Sequence, residues 1–371
     1  MVYNNSNNNR SSKFQVHATN ITGLGATQVA TSLINSICKN DISEHADFFL
    51  PDKGLLRHYK PSKGKTKRFR RYLPLSVSRL IECRFAKIYF KNIPTIVLGD
   101  IPLYGIKNQI VLVHQPNLVY PTINPHSSKS IKFRILRKLF AFNQKFANVI
   151  IVQTGAIADD LILSYPSIKG KLIIQPQPAP DWLQSLKHEE NNKEIVNNNF
   201  IFFYPAAHYP HKKHSFLIEI HNYIKFHNIE PDFEIWVTLN KNEFKKYEDV
   251  KFVKNIGRIP NQKMNEIYNQ VDALLFLSSM ESYGLPLVES LILGLPILVA
   301  DHKYSRWMCD QCAYYFKPYE ASSFIDKKTQ LLTDYTNQSS FEANFDITLG
   351  KFPKNWDEVA FEFIKFVKKS Y

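Results

Sequence analysis

Between Ala273 and Ala300 the chain reads as strand, turn, short helix and second strand, an order that few folds accommodate. Ala273-Leu-Leu-Phe-Leu277 is a continuous apolar run of strand length, as expected of a strand buried on both faces. Glu281-Ser-Tyr-Gly-Leu-Pro-Leu-Val-Glu289 follows, two carboxylates bracketing a Gly-Leu-Pro turn. Pro286 suits the first helical position, since it lacks the N–H that would be unpaired there, and Gly294 suits the C′ position. The turn therefore aims free backbone N–H groups and a positive helix end at whatever binds above the strand, where a phosphate is well placed. Glu289, one turn into the helix, is positioned to accept hydrogen bonds from a diol such as ribose, and Glu281 reaches the same cavity from the loop. The plainer alternative is a generic strand-turn-helix whose acids only decorate a helix N-terminus.

The rest of the chain repeats this alternation, which argues for doubly wound parallel sheets. Phe14–Ala18 reads as a first strand, the loop Thr19–Ala26 with Gly23 and Gly25 follows, and Thr27–Cys38 reads as a helix. Further strands are expected at Thr95–Leu98, Ile110–His114, Val149–Val152 and Leu172–Ile174. Three prolines in Gln175–Pro180 form a stiff connector, and Lys187–Asn199 reads as an exposed loop. A second α/β series starts at Phe200–Tyr204 and runs through helix Ser215–Phe226, strand Phe233–Val237, strand-turn Phe252–Pro260 and helix Met264–Gln270. At 371 residues two α/β domains are the natural division. The expected boundaries are a polar leader over 1–13, a first domain over 14–180, a linker over 181–199, a second domain over 200–350 and a final helix over 351–371.

Charge is distributed unevenly. Residues 1–180 carry 25 Lys and Arg against 8 Asp and Glu, and the remainder carries 22 against 25. The excess concentrates in Lys60–Arg71 and in Lys129–Phe140. The second stretch sets Ile131, Ile135 and Leu139 at helical spacing, with Leu136 and Phe140 beside them and bases elsewhere. Such a basic amphipathic helix suits an anionic membrane surface. A solvated face and a nucleic-acid patch are the alternatives. No apolar run approaches the ~20 residues that span a bilayer, and the start has no apolar signal region. A cytoplasmic protein, peripheral to the inner face of the plasma membrane, is the expectation. Cys309 and Cys312 form a C-x-x-C without a second pair or a nearby His cluster, so both read as ordinary thiols.

The Glu281–Glu289 segment, with its aromatic-Gly-Leu-Pro core and downstream Gly-x-Pro, resembles the E-x7-E signature of retaining glycosyltransferases of family 4, the group 1 glycosyltransferases of the GT-B fold. Tyr204–Glu219 resembles the family's strand-loop-helix in which an Arg and a Lys grip the donor diphosphate. Aligning Leu217-Ile218-Glu219 puts the lysine at Lys212 and the arginine position on Ala207, a departure for which His208 and Lys213 are the neighbouring substitutes. Gly257-Arg258-Ile259-Pro260, the helix through Tyr268, and Tyr314-Tyr315-Phe316-x-Pro318 extend the likeness, strongly over 200–318 and loosely before that.

The resemblance implies two Rossmann-like doubly wound parallel-sheet domains facing a cleft, with the C-terminal helix crossing back to the first domain. It implies transfer of a sugar from a nucleotide-diphosphate sugar to a glycan or polyprenyl-diphosphate-linked acceptor with retention, in bacterial surface polysaccharide synthesis. His114, Lys212 and Glu281 then act in catalysis. Gly25, Gly257, Arg258, Ser282, Tyr283, Gly284, Leu285 and Glu289 bind the donor, Glu289 through the ribose. Departure of the nucleoside diphosphate leaves an oxocarbenium-like sugar, so stabilising the leaving-group charge dominates. No D-x-D triad occurs, so no metal and no other cofactor are expected. A sugar-nucleotide epimerase on the same fold is the enzymatic alternative. A basic nucleic-acid-binding protein is the alternative of another class, and it leaves the acidic pair unexplained; no nucleic-acid partner is expected.

Overall fold

The computed structural model describes residues 13–21, 23–73, 75–179, 183, 200–260, 263–337 and 348–370. The expected leader over 1–13, apart from Lys13, and the expected linker over 181–199, apart from Leu183, lie outside them. The chain divides into two compact units, residues 1–177 with 353–371 and residues 178–352.

In the first unit seven parallel strands run in the order β3-β2-β1-β4-β5-β6-β7. They are β1 (Phe14–His17), β2 (Ala46–Pro51), β3 (Lys65–Phe69), β4 (Thr95–Val97), β5 (Gln109–Val113), β6 (Ala147–Val152) and β7 (Leu172–Ile174). Order reverses between β1 and β4, the switch point at which such sheets take ligands at their carboxyl ends. Helix α1 (Leu24–Cys38) starts three residues before the expected Thr27, so Gly25 belongs to its first turn. Helices α2 (Leu75–Arg84), α3 (Ala86–Tyr89), α4 (Ile131–Asn143) and α5 (Gly155–Ser164) follow in order.

Two cores flank this sheet. One joins Val16, Phe48, Ile96 and Ile110 to α1 and to the final helix of the chain; the other joins Val97, Val111 and Ile150 to α2–α5. The final helix buries Trp356, Val359, Ala360, Phe363, Ile364 and Val367 in the first core, as an amphipathic stripe requires. Asn355 caps it by accepting from the N–H groups of Asp357 and Glu358, while Lys368 and Lys369 sit in its last turn, so both ends complement the helix dipole. The expected return of the C-terminal helix to the first sheet is thus present.

In the second unit the order is β10-β9-β8-β11-β12-β13, again parallel throughout. The strands are β8 (Phe200–Tyr204), β9 (Phe233–Val237), β10 (Val253–Asn255), β11 (Ala273–Phe276), β12 (Ile297–Ala300) and β13 (Tyr314–Phe316). Helices α6 (Phe216–Phe226), α7 (Lys241–Phe244), α8 (Met264–Tyr268), α9 (Leu285–Ile292), α10 (Lys303–Cys309) and α11 (Ala321–Thr336) complete the series, and the returning helix α12 (Trp356–Lys369) belongs to the first unit. Phe216 stacks on Phe316 at 5.8 Å and meets Phe324 edge-on, so α6, β13 and α11 share one aromatic core.

Two expectations about charge need correction. Lys60–Arg71 is only partly open basic surface: Lys60, Lys65 and Arg70 are exposed, but the run contains the edge strand β3, in register with β2. Lys67 Nζ lies 2.8 Å from Asp47, Arg68 donates to the carbonyls of Pro51, Leu56 and Tyr59, and Arg71 pairs with buried Glu82. In α4 the expected apolar set divides between two faces. Leu136, Leu139 and Phe140 are buried, whereas Ile131 is 71% and Ile135 44% exposed. Arg137, expected among the solvated bases, is buried and donates to the carbonyls of Asn117 and Ser128.

Candidate active site

The second unit gathers its polar groups at the carboxyl ends of β8 and β11, beside one another where strand order reverses. β8 ends at Tyr204, and its loop closes with a single 3-10 turn, Pro210–Lys212, before Lys213 takes a left-handed conformation at φ 54°. The loop after β11 is tied to it: Ser279 donates its N–H (2.7 Å) and its hydroxyl (3.2 Å) to the His211 carbonyl. Tyr204 holds the same turn from below, its hydroxyl donating to the Lys212 carbonyl.

That tie brings Lys212 to Glu281. The ammonium contacts the carboxylate in a pair whose side chains are 17% and 13% exposed, and Nζ lies 5.4 Å from the centre of the Phe276 ring. Partial burial strengthens the attraction over that of a surface pair. Tyr283 is buried, and Gly284 caps α9 at φ 92°, ψ 65°. A Cβ at Gly284 would be strained by that φ and would meet Leu287 at 3.1 Å, so this turn requires glycine. Pro286 occupies the second helical position and not the expected first. At the far end the N–H groups of Gly294 and Leu295 bond to the carbonyls of Leu291 and Ser290, a Schellman stop. The amino end of α9, with Leu285 at its start and Ser282 just before it, thus faces the Lys212–Glu281 pair's side of the sheet.

Glu289 is buried one turn into α9, and Tyr268 from α8 donates its hydroxyl to it at 2.7 Å. Burial pushes the Glu289 carboxyl up to about 7, and the Tyr268 hydrogen bond only partly offsets it. Gly257, at φ 77°, and Arg258 follow β10; the Arg258 guanidinium is exposed, 3.6 Å from Glu243. A shallow cavity lined by His208, Asn240, Lys241 and Glu243 opens nearby. His208 bonds to the Tyr247 hydroxyl at 3.1 Å, and Lys213 Nζ lies 4.6 Å from the centre of the Tyr319 ring. Of the described cations around Ala207, Lys212 is the one paired with Glu281. His214, buried against Tyr204 and Tyr247, is pushed down to about 3 by burial and then by the charges of His208 and Lys212, so it stays neutral.

Gly25 and His114 belong to the first unit. Gly25 lies in the first turn of α1, and a Cβ there would meet nothing within 4 Å. His114 follows β5, its N–H donating to Asp100 Oδ1 at 2.8 Å and its ring Nε2 3.7 Å from the same oxygen. Asp100, in turn, receives Arg79 at 3.1 Å. Sequence reasoning missed Asp100, whose φ of 65° follows from a Gly-Asp turn, and it missed the hydroxyl of Tyr268. It also missed a buried cluster beside β1, in which His17, Thr19 and Arg71 surround Glu82. Burial works to raise the Glu82 carboxyl, yet His17 and Arg71 outweigh it and hold the group below the usual range. Among the described residues no group of three His, Cys, Asp or Glu is placed to hold a metal, and Cys309 and Cys312 are buried free thiols.

Residues 187–345, within the second unit, match the family described as glycosyl transferases group 1. Curated proteins contain no match to the sequence. Among solved structures, Anabaena HepE in complex with UDP and glucose is 13% identical, with a TM-score of 0.63 over 96% of this chain and 100% of that one. WaaG, a glycosyltransferase involved in lipopolysaccharide biosynthesis, is 12% identical, with a TM-score of 0.65 over 94% and 98%. The sucrose-phosphate synthase of Thermosynechococcus elongatus is 12% identical, with a TM-score of 0.68 over 97% and 99%. At such identities the likeness establishes the fold, GT-B, with parallel-sheet α/β units of seven and six strands.

Proposed function

We propose that this glycosyltransferase moves a hexose from a nucleotide-diphosphate sugar to a glycan or polyprenyl-diphosphate-linked acceptor with retention of configuration. The observation that carries this reading is the Lys212–Glu281 contact beside the amino end of α9, with buried Glu289 one turn along. Lys212 and the amides from Tyr283 to Leu285 meet the diphosphate, and their attraction grows as negative charge builds on the leaving group. Glu281 holds the donor sugar and, before the donor arrives, keeps the ammonium pointed into the site. Glu289, fixed by Tyr268, accepts from the ribose hydroxyls. Gly257 and Arg258 border the base; in the first unit, Gly25 is assigned to donor binding and His114 to catalysis. Because the cation and amides already offset the diphosphate charge, neither metal nor other cofactor is required.

HepE was solved with UDP and glucose and WaaG takes part in lipopolysaccharide biosynthesis, which supports a nucleotide-sugar donor and a role in bacterial surface polysaccharide. Excess positive charge on the first unit supports a cytoplasmic enzyme that works on the anionic inner face of the plasma membrane. The test is a panel of nucleotide sugars assayed for protection against thermal unfolding and for transfer or hydrolysis. One donor should raise the melting temperature and lose its sugar. Interconversion of sugar nucleotides without release would favour an epimerase, and no response to any donor would remove the reading.

A further inference from the structure

The described residues include sixteen exposed large apolar side chains, and nine of them fall in two short stretches of the first unit. Tyr72, Leu73, Val77, Leu80, Phe85 and Ile88 come from α2, α3 and the approach to them, and Ile131, Ile135 and Phe142 come from α4. The stretches are neighbours. α2 packs on α4, and the Arg84 guanidinium lies 5.7 Å from the Phe85 ring and 5.6 Å from the Phe142 ring. On α4 the exposed Ile131, Ile135 and Phe142 form one stripe at helical spacing, flanked by exposed Arg134, Lys138 and Lys145. The buried stripe of Leu136, Leu139 and Phe140 faces the core, and of the exposed stripe Phe142 also stacks on Tyr104 while Ile131 and Ile135 are exposed. Residues 72–89 and 131–146 contain a single acid, Glu82, which is buried.

We propose that this α2–α3–α4 face lies on an anionic bilayer, its apolar side chains entering the headgroup–acyl boundary and its bases meeting lipid phosphates. It rests on the membrane association proposed above and adds the face and the mode of contact. Charge selects the occupant. A second copy of the same face would bring bases against bases with no exposed acid to pair, which an isologous contact requires. A nucleic acid would use the bases but leave isoleucine, leucine and valine without partners. A bilayer with anionic headgroups satisfies both sets at once. The run Lys60–Arg71 is not the seat, because Lys67, Arg68 and Arg71 are already engaged within the unit.

Co-sedimentation of the full chain with vesicles of phosphatidylglycerol and phosphatidylcholine tests this. The triple variant Ile88→Glu, Ile131→Glu, Ile135→Glu should lose about tenfold or more in vesicle affinity, a direction that follows from apolar insertion. The gentler pair Ile88→Ser, Ile131→Ser, also at exposed positions, should lose part of it while melting like the unchanged protein. Lys225→Glu, an exposed charge reversal on α6, should bind vesicles nearly as before. If the unchanged protein binds and both apolar variants bind equally well, this face is overturned and membrane association stands. If it ignores anionic vesicles, both fall, and the donor panel still judges the sugar chemistry. If sedimentation velocity without lipid shows self-association that the same variants abolish, the face is a contact between copies and the bilayer assignment is wrong.

Discussion

Lys212 and Glu281 stand 69 positions apart in sequence and in direct contact in the fold. The contact depends on the Ser279–His211 bonds, which fix the loop after β11 to the turn after β8. Glu281→Gln keeps the shape and loses the charge, so nucleoside diphosphate affinity should change by less than about 1 kcal/mol while transfer slows strongly. Calorimetry beside a transfer assay measures both. Full turnover in this variant would reduce the acidic pair to a structural role.

Glu289 ties activity and stability to pH through one group. Its folded carboxyl is raised to about 7 from an ordinary 4.5, so the folded state holds a proton that the unfolded chain has already released in that interval. Stability from this site is therefore full below the unfolded value and declines as pH rises toward 7, on the order of 3 kcal/mol in total. Glu289→Gln should remove that decline, melting higher than the unchanged protein at pH 8 relative to pH 5. The same variant should lose about 1.5–3 kcal/mol in nucleoside diphosphate affinity at pH 8, where the carboxylate is charged. A melting difference independent of pH would contradict the assignment.

Gly284→Ala tests the turn itself. A left-handed φ of 92° and the 3.1 Å approach to Leu287 should displace the amino end of α9. We expect about 1–2 kcal/mol lost from nucleoside diphosphate binding, with little effect on vesicle affinity. Unchanged binding would mean that the α9 amides do not meet the phosphates.

In the first unit, Glu82→Ala should destabilise by about 3–5 kcal/mol, because it strands Arg71 and His17 in a buried pocket. Urea unfolding measures it, and a loss under 1 kcal/mol would show that the cluster relaxes freely. Charge reversal at Arg71 should behave like Glu82→Ala, lowering stability before it alters any lipid affinity.

Much of the second sheet was legible because its strands are dominated by apolar residues: Phe200–Tyr204 is continuously apolar, Phe233–Val237 is broken only by Glu234, and both match the observed bounds. Two strands of the first sheet were not. β3, Lys-Thr-Lys-Arg-Phe, reads as solvated charge, and what makes it a strand is Asp47 on β2 receiving Lys67 and backbone carbonyls receiving Arg68. Such partners are distant in sequence. In α4 two apolar stripes adjoin, and spacing alone cannot say which one meets the core; packing chose Leu136, Leu139 and Phe140. At the site, the Gly-Leu-Pro turn marked α9 and its acids, whereas the Tyr268 hydroxyl on Glu289 and the Asp100 bond to His114 arise from tertiary approach.

The most direct test of the central claim is single-turnover transfer by the unchanged protein and by Lys212→Ala, both in EDTA, with the donor identified from the panel. The unchanged protein should turn over without metal, and Lys212→Ala should fall by about 100- to 1,000-fold, the scale for losing one preorganised group on a developing charge. Full turnover by Lys212→Ala, or loss of all activity in EDTA restored by magnesium or manganese, would contradict the account.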